Sequence, residues 1–176
     1  MVARLALLLS GAALLAGCNT LSEKECRNAD WVRIGQQDGA NGYTRARLDD
    51  HAKACGEIGV VPDGRAYARG REQGLVNYCQ PMVGRTKGAE GAGYYGVCTG
   101  AAETAFMRGY TVGKQIHDLK KLQDGNRRHR KELTDQLAKK DIKEDESKRI
   151  RRELERLDQD DRRVQRLVEQ AYQIPL

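Results

Sequence analysis

Aromatic side chains are scarce in this sequence, with one Trp and one Phe in 176 residues. That excludes a large aromatic core and points to a thin interior in need of other support. No apolar run reaches the roughly 18 residues of a membrane span. The longest, Leu5 to Ala16, is broken only by Ser10 and Gly11, and as a helix it would extend only ~18 Å against a ~30 Å hydrocarbon layer. There is no Cys-x-x-Cys pair, no G-x-x-x-x-G-K-[ST] loop and no Gly-x-Ser-x-Gly elbow. These gaps argue against a structural zinc site, a nucleotide-binding loop and a hydrolase nucleophile. Gly91-Ala92-Gly93-Tyr94-Tyr95-Gly96 is formally G-x-G-x-x-G, but no strand precedes it and Cys98 follows almost at once, so a dinucleotide fingerprint is rejected.

What is present begins with a cationic start at Arg4 followed by the short apolar run, the pattern of a signal peptide over residues 1–17. Leu15-Ala16-Gly17-Cys18 resembles the lipobox of bacterial lipoproteins, which implies cleavage between Gly17 and Cys18 and lipid on Cys18. One acyl chain binds a membrane only marginally, whereas a diacylglyceryl group with an added N-acyl chain holds firmly. The resemblance also implies a location. Asn19, rather than aspartate, follows the lipidated cysteine, which favours the outer membrane with the body facing the periplasm.

Removing Cys18 leaves Cys26, Cys55, Cys79 and Cys98, an even set in an oxidising compartment, and two disulfides are expected. Loss of the leader removes Arg4 and no acid, taking the formal net charge from +6 to +5. An exported protein of that charge meets anionic lipid and cell-wall polymer, so nucleic acid is not expected as a partner. No cofactor or metal is expected either.

Composition divides the mature chain. After Gly113 the only glycine is Gly125, and after Tyr110 the only aromatic is Tyr172. The expected organisation is a lipidated linker over 18–25, a Gly/Tyr/Cys-rich helical module over 26–113 and a charged coiled-coil hairpin over 114–176. The fold class is mainly α, a small disulfide-stapled helical module followed by a long charged antiparallel helical hairpin.

Within the module, a helix is predicted from Ser22 through Trp31 and Ile34 to the Asp38-Gly39 turn signal, and a second from Thr44 to Cys55. Packed as an antiparallel hairpin, they place Cys26 opposite Cys55. Asp63 reads as the N-cap of a third helix through Tyr67 and Tyr78. That helix ends at Cys79, and Cys98 opens the next, so a Cys79 to Cys98 bridge closes the intervening loop. The stretch from Gly84 to Gly96 reads as irregular.

Ala66-Tyr67-Ala68-Arg69-Gly70 with Gly74, and Ala105-Phe106-Met107-Arg108-Gly109 with Gly113, share the form Ala-aromatic-x-Arg-Gly-x-x-x-Gly, which Gly35 and Gly39 echo. Helical glycines cost about 1 kcal/mol each relative to alanine, so tight helix contacts are expected to compensate. His51, beside Cys55 on an apolar helix face, reads as a packing residue. Asp49 and Asp50 point to different sides of that helix, and no catalytic residue is assigned.

Trp31, Gly39, Gly42, His51, Cys55, Tyr67, Gly70, Gly74, Tyr78-Cys79, Gly88, Gly91 and Tyr95-Gly96-Val97-Cys98 together resemble a group of bacterial envelope lipoproteins known as a domain of unknown function. The resemblance covers about residues 26–113. It implies an exported, disulfide-bearing module and supplies no activity.

In the last segment Ile150, Leu154, Leu157, Asp161, Val164, Val168 and Ala171 form a heptad series. Val112, Ile116, Leu119, Leu122, Asn126, His129 and Leu133 make a similar stripe, with Asn126 intruding. The polar stretch Asp141 to Ser147 predicts the bend. The basic residues around Arg127 to Lys131 and Lys148 to Arg152 are diluted by acids, with 18 Lys and Arg against 14 Asp and Glu from Lys114 onward, as on a solvated coiled-coil face. The expected role is a non-catalytic envelope lipoprotein that binds another envelope protein or the cell wall. Two alternatives are an enzyme on cell-wall or lipid material with His51 near the Gly-rich loop, and a coiled-coil sensor of anionic surfaces.

Overall fold

The computed structural model describes residues 20–176, and the expected leader, the cleavage site and Cys18 lie outside them. Seven helices follow one another: α1 (Glu23–Arg27), α2 (Trp31–Ala40), α3 (Arg47–Gly56), α4 (Gly64–Tyr78), α5 (Pro81–Ala89), α6 (Gly100–Leu137) and α7 (Glu144–Gln173). The fold is mainly α, as expected.

Local chemistry sets the boundaries. Ser22 and Glu25 form a reciprocal capping box that starts α1 inside the stretch expected as linker. Asp30 accepts from the Arg33 N–H and opens α2. The single helix expected from Ser22 to Gly39 is therefore two, because a second strong cap interrupts it. Asp63 caps α4 at the Arg65 and Ala66 N–H groups, as its position predicts.

Both expected disulfides are present, Cys26–Cys55 and Cys79–Cys98, and all four sulfur-bearing residues are buried. The packing that surrounds them differs from the expected hairpin of the first two helices. The main partner of α2 is α4, and α5 pairs in the same way with α6. The stretch from Gly84 was expected to be irregular, yet α5 runs to Ala89, because its glycines make a helix crossing rather than a loop.

The two pairs are one structure made twice. A Cβ on Gly35 would run into the Tyr67 carbonyl and one on Gly84 into that of Phe106, while Gly39 and Gly88 press on Arg71 and Tyr110 in the same manner. From the opposite helices, Gly70 meets Val32 and Gly109 meets Pro81, and Gly74 and Gly113 meet Gln36 and Arg85. These contacts offset the intrinsic cost of glycine in a helix. Each first helix ends in Gly-Ala-x-Gly, and the last glycine takes φ of 76° at Gly42 and 75° at Gly91, which glycine alone adopts without strain. Each disulfide ties the entry of the first helix to the segment leading into the second.

Tyr78 joins the two units. It lies beneath Gly42 and stacks on Phe106 at 5.1 Å between ring centroids. Around it gather Cys79, Val97 and Cys98, with Tyr94 and Tyr110 beside them.

The helix α6 continues without a break past residue 113, so no hinge in the backbone accompanies the change in composition. Its distal part pairs with α7 across a bend at residues 138–143. Leu133 and Ile150 close the tip end of this hairpin, and Val112, Ile116, Val168 and Ala171 the base. Between them Asn126 donates to Asp161 at 2.8 Å, and Arg130 pairs with Asp161 and, at 2.9 Å, with Asp158. A polar layer of this kind fixes the register of paired helices. Burial alone would raise the Asp161 carboxyl, but the Asn126 and Arg130 hydrogen bonds hold it below its ordinary value.

Candidate functional site

Two places gather chemistry among the described residues. The first is the interior of the α2–α4 unit, where helix pairing brings three polar side chains from separate elements together. Asp38, on the inner face of α2, is buried beside the crossing. Its Oδ2 accepts from Tyr67 Oη of α4 at 2.8 Å and meets His51 Nε2 of α3 at 2.8 Å. His51 Nδ1 contacts the Thr20 hydroxyl at 2.7 Å. With Asp38 ionised, Nε2 carries a proton, and in the neutral ring Nδ1 accepts from Thr20.

Burial, reinforced by the hydrogen bond to Asp38, pushes the Tyr67 phenol well above its ordinary value, so it stays a donor. Arg71, also buried, donates through Nε and Nη2 to the Tyr43 carbonyl at 3.0 and 2.8 Å. This donation fixes the turn after Gly42.

His51 is 2% exposed and both of its ring nitrogens are engaged. The Gly-rich loop expected beside it packs instead in the second unit, where Tyr94 lies 4.8 Å from the Phe106 ring and donates to Glu103. The sequence did not reveal Asp38 as a site residue, because Asp38-Gly39 reads as a turn signal. Its place one residue before a crossing glycine was the available clue.

The second place is a groove between the two units. The turns after α2 and α5, which Gly42 and Gly91 build, face each other across a cavity of about 670 Å³. Its lining includes Asn41, Tyr43, Arg47, Asp50, Lys87 and Tyr95, and the Tyr78 ring is at its floor. A second cavity of about 470 Å³ shares Thr44 and Tyr95 with it and adds Arg45 and Glu72. Tyr95 stands between the two with 74% of its surface exposed.

The Arg47 guanidinium lies 4.6 Å from the Tyr43 ring centre, with a loose 3.7 Å contact to Asp50. Its buried Nε has no partner. Both turns are held from behind in the same way, since Arg71 donates to the Tyr43 carbonyl and Tyr110 to that of Ala92, at 2.7 Å in the latter case.

On the hairpin, several of the basic residues singled out from the sequence are committed to acids. Arg127 pairs with Asp124, Lys131 with Asp135 and Lys148 with Glu144, each at 2.7 to 2.8 Å. Asp158 meets Arg130 of the opposite arm at 2.9 Å. Among the described residues no three His, Cys, Asp or Glu side chains gather as a metal site, and no helix is long and apolar enough to cross a membrane.

Residues 30–115 match the model of a family described as a protein of unknown function (DUF2799). The match begins at the cap of α2 and ends just past Gly113, so it takes in both glycine crossings. No curated protein and no solved structure matches the chain.

Proposed function

We propose that this domain of unknown function is the body of a lipid-anchored, non-catalytic envelope protein that binds the cell wall or another envelope protein. The carrying observation is the cysteine pairing. Cys26 with Cys55 and Cys79 with Cys98 account for every cysteine except the one in Leu15-Ala16-Gly17-Cys18. Disulfides persist in oxidising compartments, which suits export, and the remaining thiol stands where a lipobox requires it. The outer membrane, with the body in the periplasm, is the location that Asn19 favours. A rigid groove and a long charged hairpin suit binding better than turnover.

Mass spectrometry of the N-terminal peptide from membranes tests the anchor. The expected peptide begins with acylated Cys18, and Cys18→Ser leaves an uncut precursor. A mature chain with a bare thiol, or a reduced chain in the cytosol, overturns the reading. Crosslinking in intact cells tests the binding role, and failure to enrich any envelope component would count against it.

One observation favours a second reading, an enzyme on cell-wall or lipid material. Thr20, His51 and Asp38 are ordered as a nucleophile, a base and an orienting carboxylate. Thr20→Val removes the hydroxyl at nearly constant volume. An enzyme would then show the phenotype of a deleted chain, whereas a binding protein would keep its function.

A further inference from the structure

We propose that the groove divided by Tyr95 is a binding site for a carboxylate-bearing glycan strand of the cell wall. The inference rests on the envelope reading and names the ligand class within it. Its first support is shape. Two open cavities of about 670 and 470 Å³ share Thr44 and Tyr95 in their linings, which leaves room for a sugar ring on either side of Tyr95.

The second support is chemistry. A sugar ring offers an apolar C–H face and an edge of hydroxyls that both donate and accept. Tyr95, 74% exposed between the cavities, presents an aromatic surface for such a face, and Tyr43 lies farther along. Around them stand donors at Arg45, Arg47 and Lys87 and acceptors at Asp50 and Glu72, with Asn41 able to do both.

Arg47 is the expected carboxylate partner. Its side chain is partly exposed, and its only acid lies at 3.7 Å, too far for a good hydrogen bond. A carboxylate in the groove would pair with the Nη donors that Asp50 leaves without a hydrogen bond. The third support is preorganisation. Both turns that wall the larger cavity are pinned by side chains of α4 and α6, so binding costs little ordering.

The test uses the disulfide-intact mature protein in detergent, co-sedimented with purified peptidoglycan sacculi and, as a carboxylate-free control, chitin. The expected result is saturable binding to sacculi and weaker binding to chitin. Tyr95→Ala, at an exposed position that leaves the fold intact, should weaken sacculus binding about tenfold, the scale of one lost aromatic contact. Arg47→Gln should remove most of the preference for sacculi over chitin and flatten the salt dependence.

Equal binding by Tyr95→Ala, or no sacculus binding by the unaltered protein, overturns the inference. If the protein is nevertheless acylated at Cys18 and crosslinks to an envelope protein, the glycan site falls and the envelope reading stands.

Discussion

The α2–α4 and α5–α6 units share a backbone and differ in what fills it. In the first, Asp38, His51, Tyr67 and Arg71 make a hydrogen-bonded interior. In the second, the positions equivalent to Asp38, Tyr67 and Arg71 are Lys87, Phe106 and Tyr110, and the interior, with Tyr94 added from the connecting segment, is a cluster of rings with centroids 4.8 to 6.1 Å apart. Phe106 has no hydroxyl to satisfy a buried carboxylate, and Lys87, in the lining of the groove, pairs with Glu90 at 3.2 Å. The frame therefore belongs to the glycines, while the filling can be polar or aromatic so long as each unit is consistent within itself. The pinned turn is kept by a different donor in each unit, a guanidinium in one and a phenol in the other.

The sharpest way to break this likeness is at the crossings. Gly70→Val and Gly109→Val drive a side chain into the carbonyls of Val32 and Pro81, which cannot move aside without parting the helices. Each should cost about 4 kcal/mol or more and broaden thermal unfolding. Only one of the two being disruptive would show that the units are not equivalent.

Next in size are the staples, whose cysteines are separated by 29 and 19 residues. Replacing either pair by alanine should cost about 3 to 4 kcal/mol in denaturant melts. The Cys26–Cys55 pair should fall at the upper end, because it closes the longer loop and its sulfurs are at least as deeply buried.

Tyr67→Phe brings the first unit one step towards the second. It deprives Asp38 of a donor and should cost about 1 to 2 kcal/mol by chemical denaturation. Phe106→Tyr is the converse, a hydroxyl with no carboxylate waiting. A neutral Tyr67→Phe would show that the polar interior is not a connected network.

Gly125 supplies the contrast outside both units. A Cβ there meets nothing within 4 Å, so Gly125→Ala should raise stability by roughly 0.5 to 1 kcal/mol through helix propensity alone. The same substitution at Gly109 should be strongly destabilising.

The smallest effect is at His129. The hydrogen bond it makes to the Glu153 carboxylate at 2.8 Å, with Glu132 at 3.7 Å on the other side, raises its imidazole above the ordinary value. The folded hairpin thus binds this proton more tightly than the unfolded chain. Its contribution is complete below the unfolded value and is lost as pH rises through the raised folded one. Because the group is well exposed the effect is slight, so the check is an NMR titration of the His129 ring, in which Glu153→Gln should lower the midpoint.

Much of this plan was readable from residue types. Asp63 announced α4, the cysteines announced their bridges once helices were placed between them, and the leucine stripes with a polar interruption announced the hairpin. Asn126 stood out as an intruder, and the structure places it against Asp161 across the arms. What stayed hidden depended on glycine's two opposite uses. Gly84 and Gly88 read as loop residues because glycine disfavours helix in isolation, and only the facing Gly109 and Gly113 make that helix favourable. For the same reason the sequence pairs α2 with its neighbour α3, while in the structure it packs on α4. The groove has no local signature in the sequence because its walls come from turns far apart in the chain.

Because α6 is one rod shared by body and arm, the hairpin is a lever. From Gly113 to Leu137 it runs about 36 Å at 1.5 Å per residue, and no loop intervenes to absorb a sideways push at the tip. Torque applied there is delivered to the crossing at Gly109 and Gly113, which seats α5 and one wall of the trough beside Tyr95.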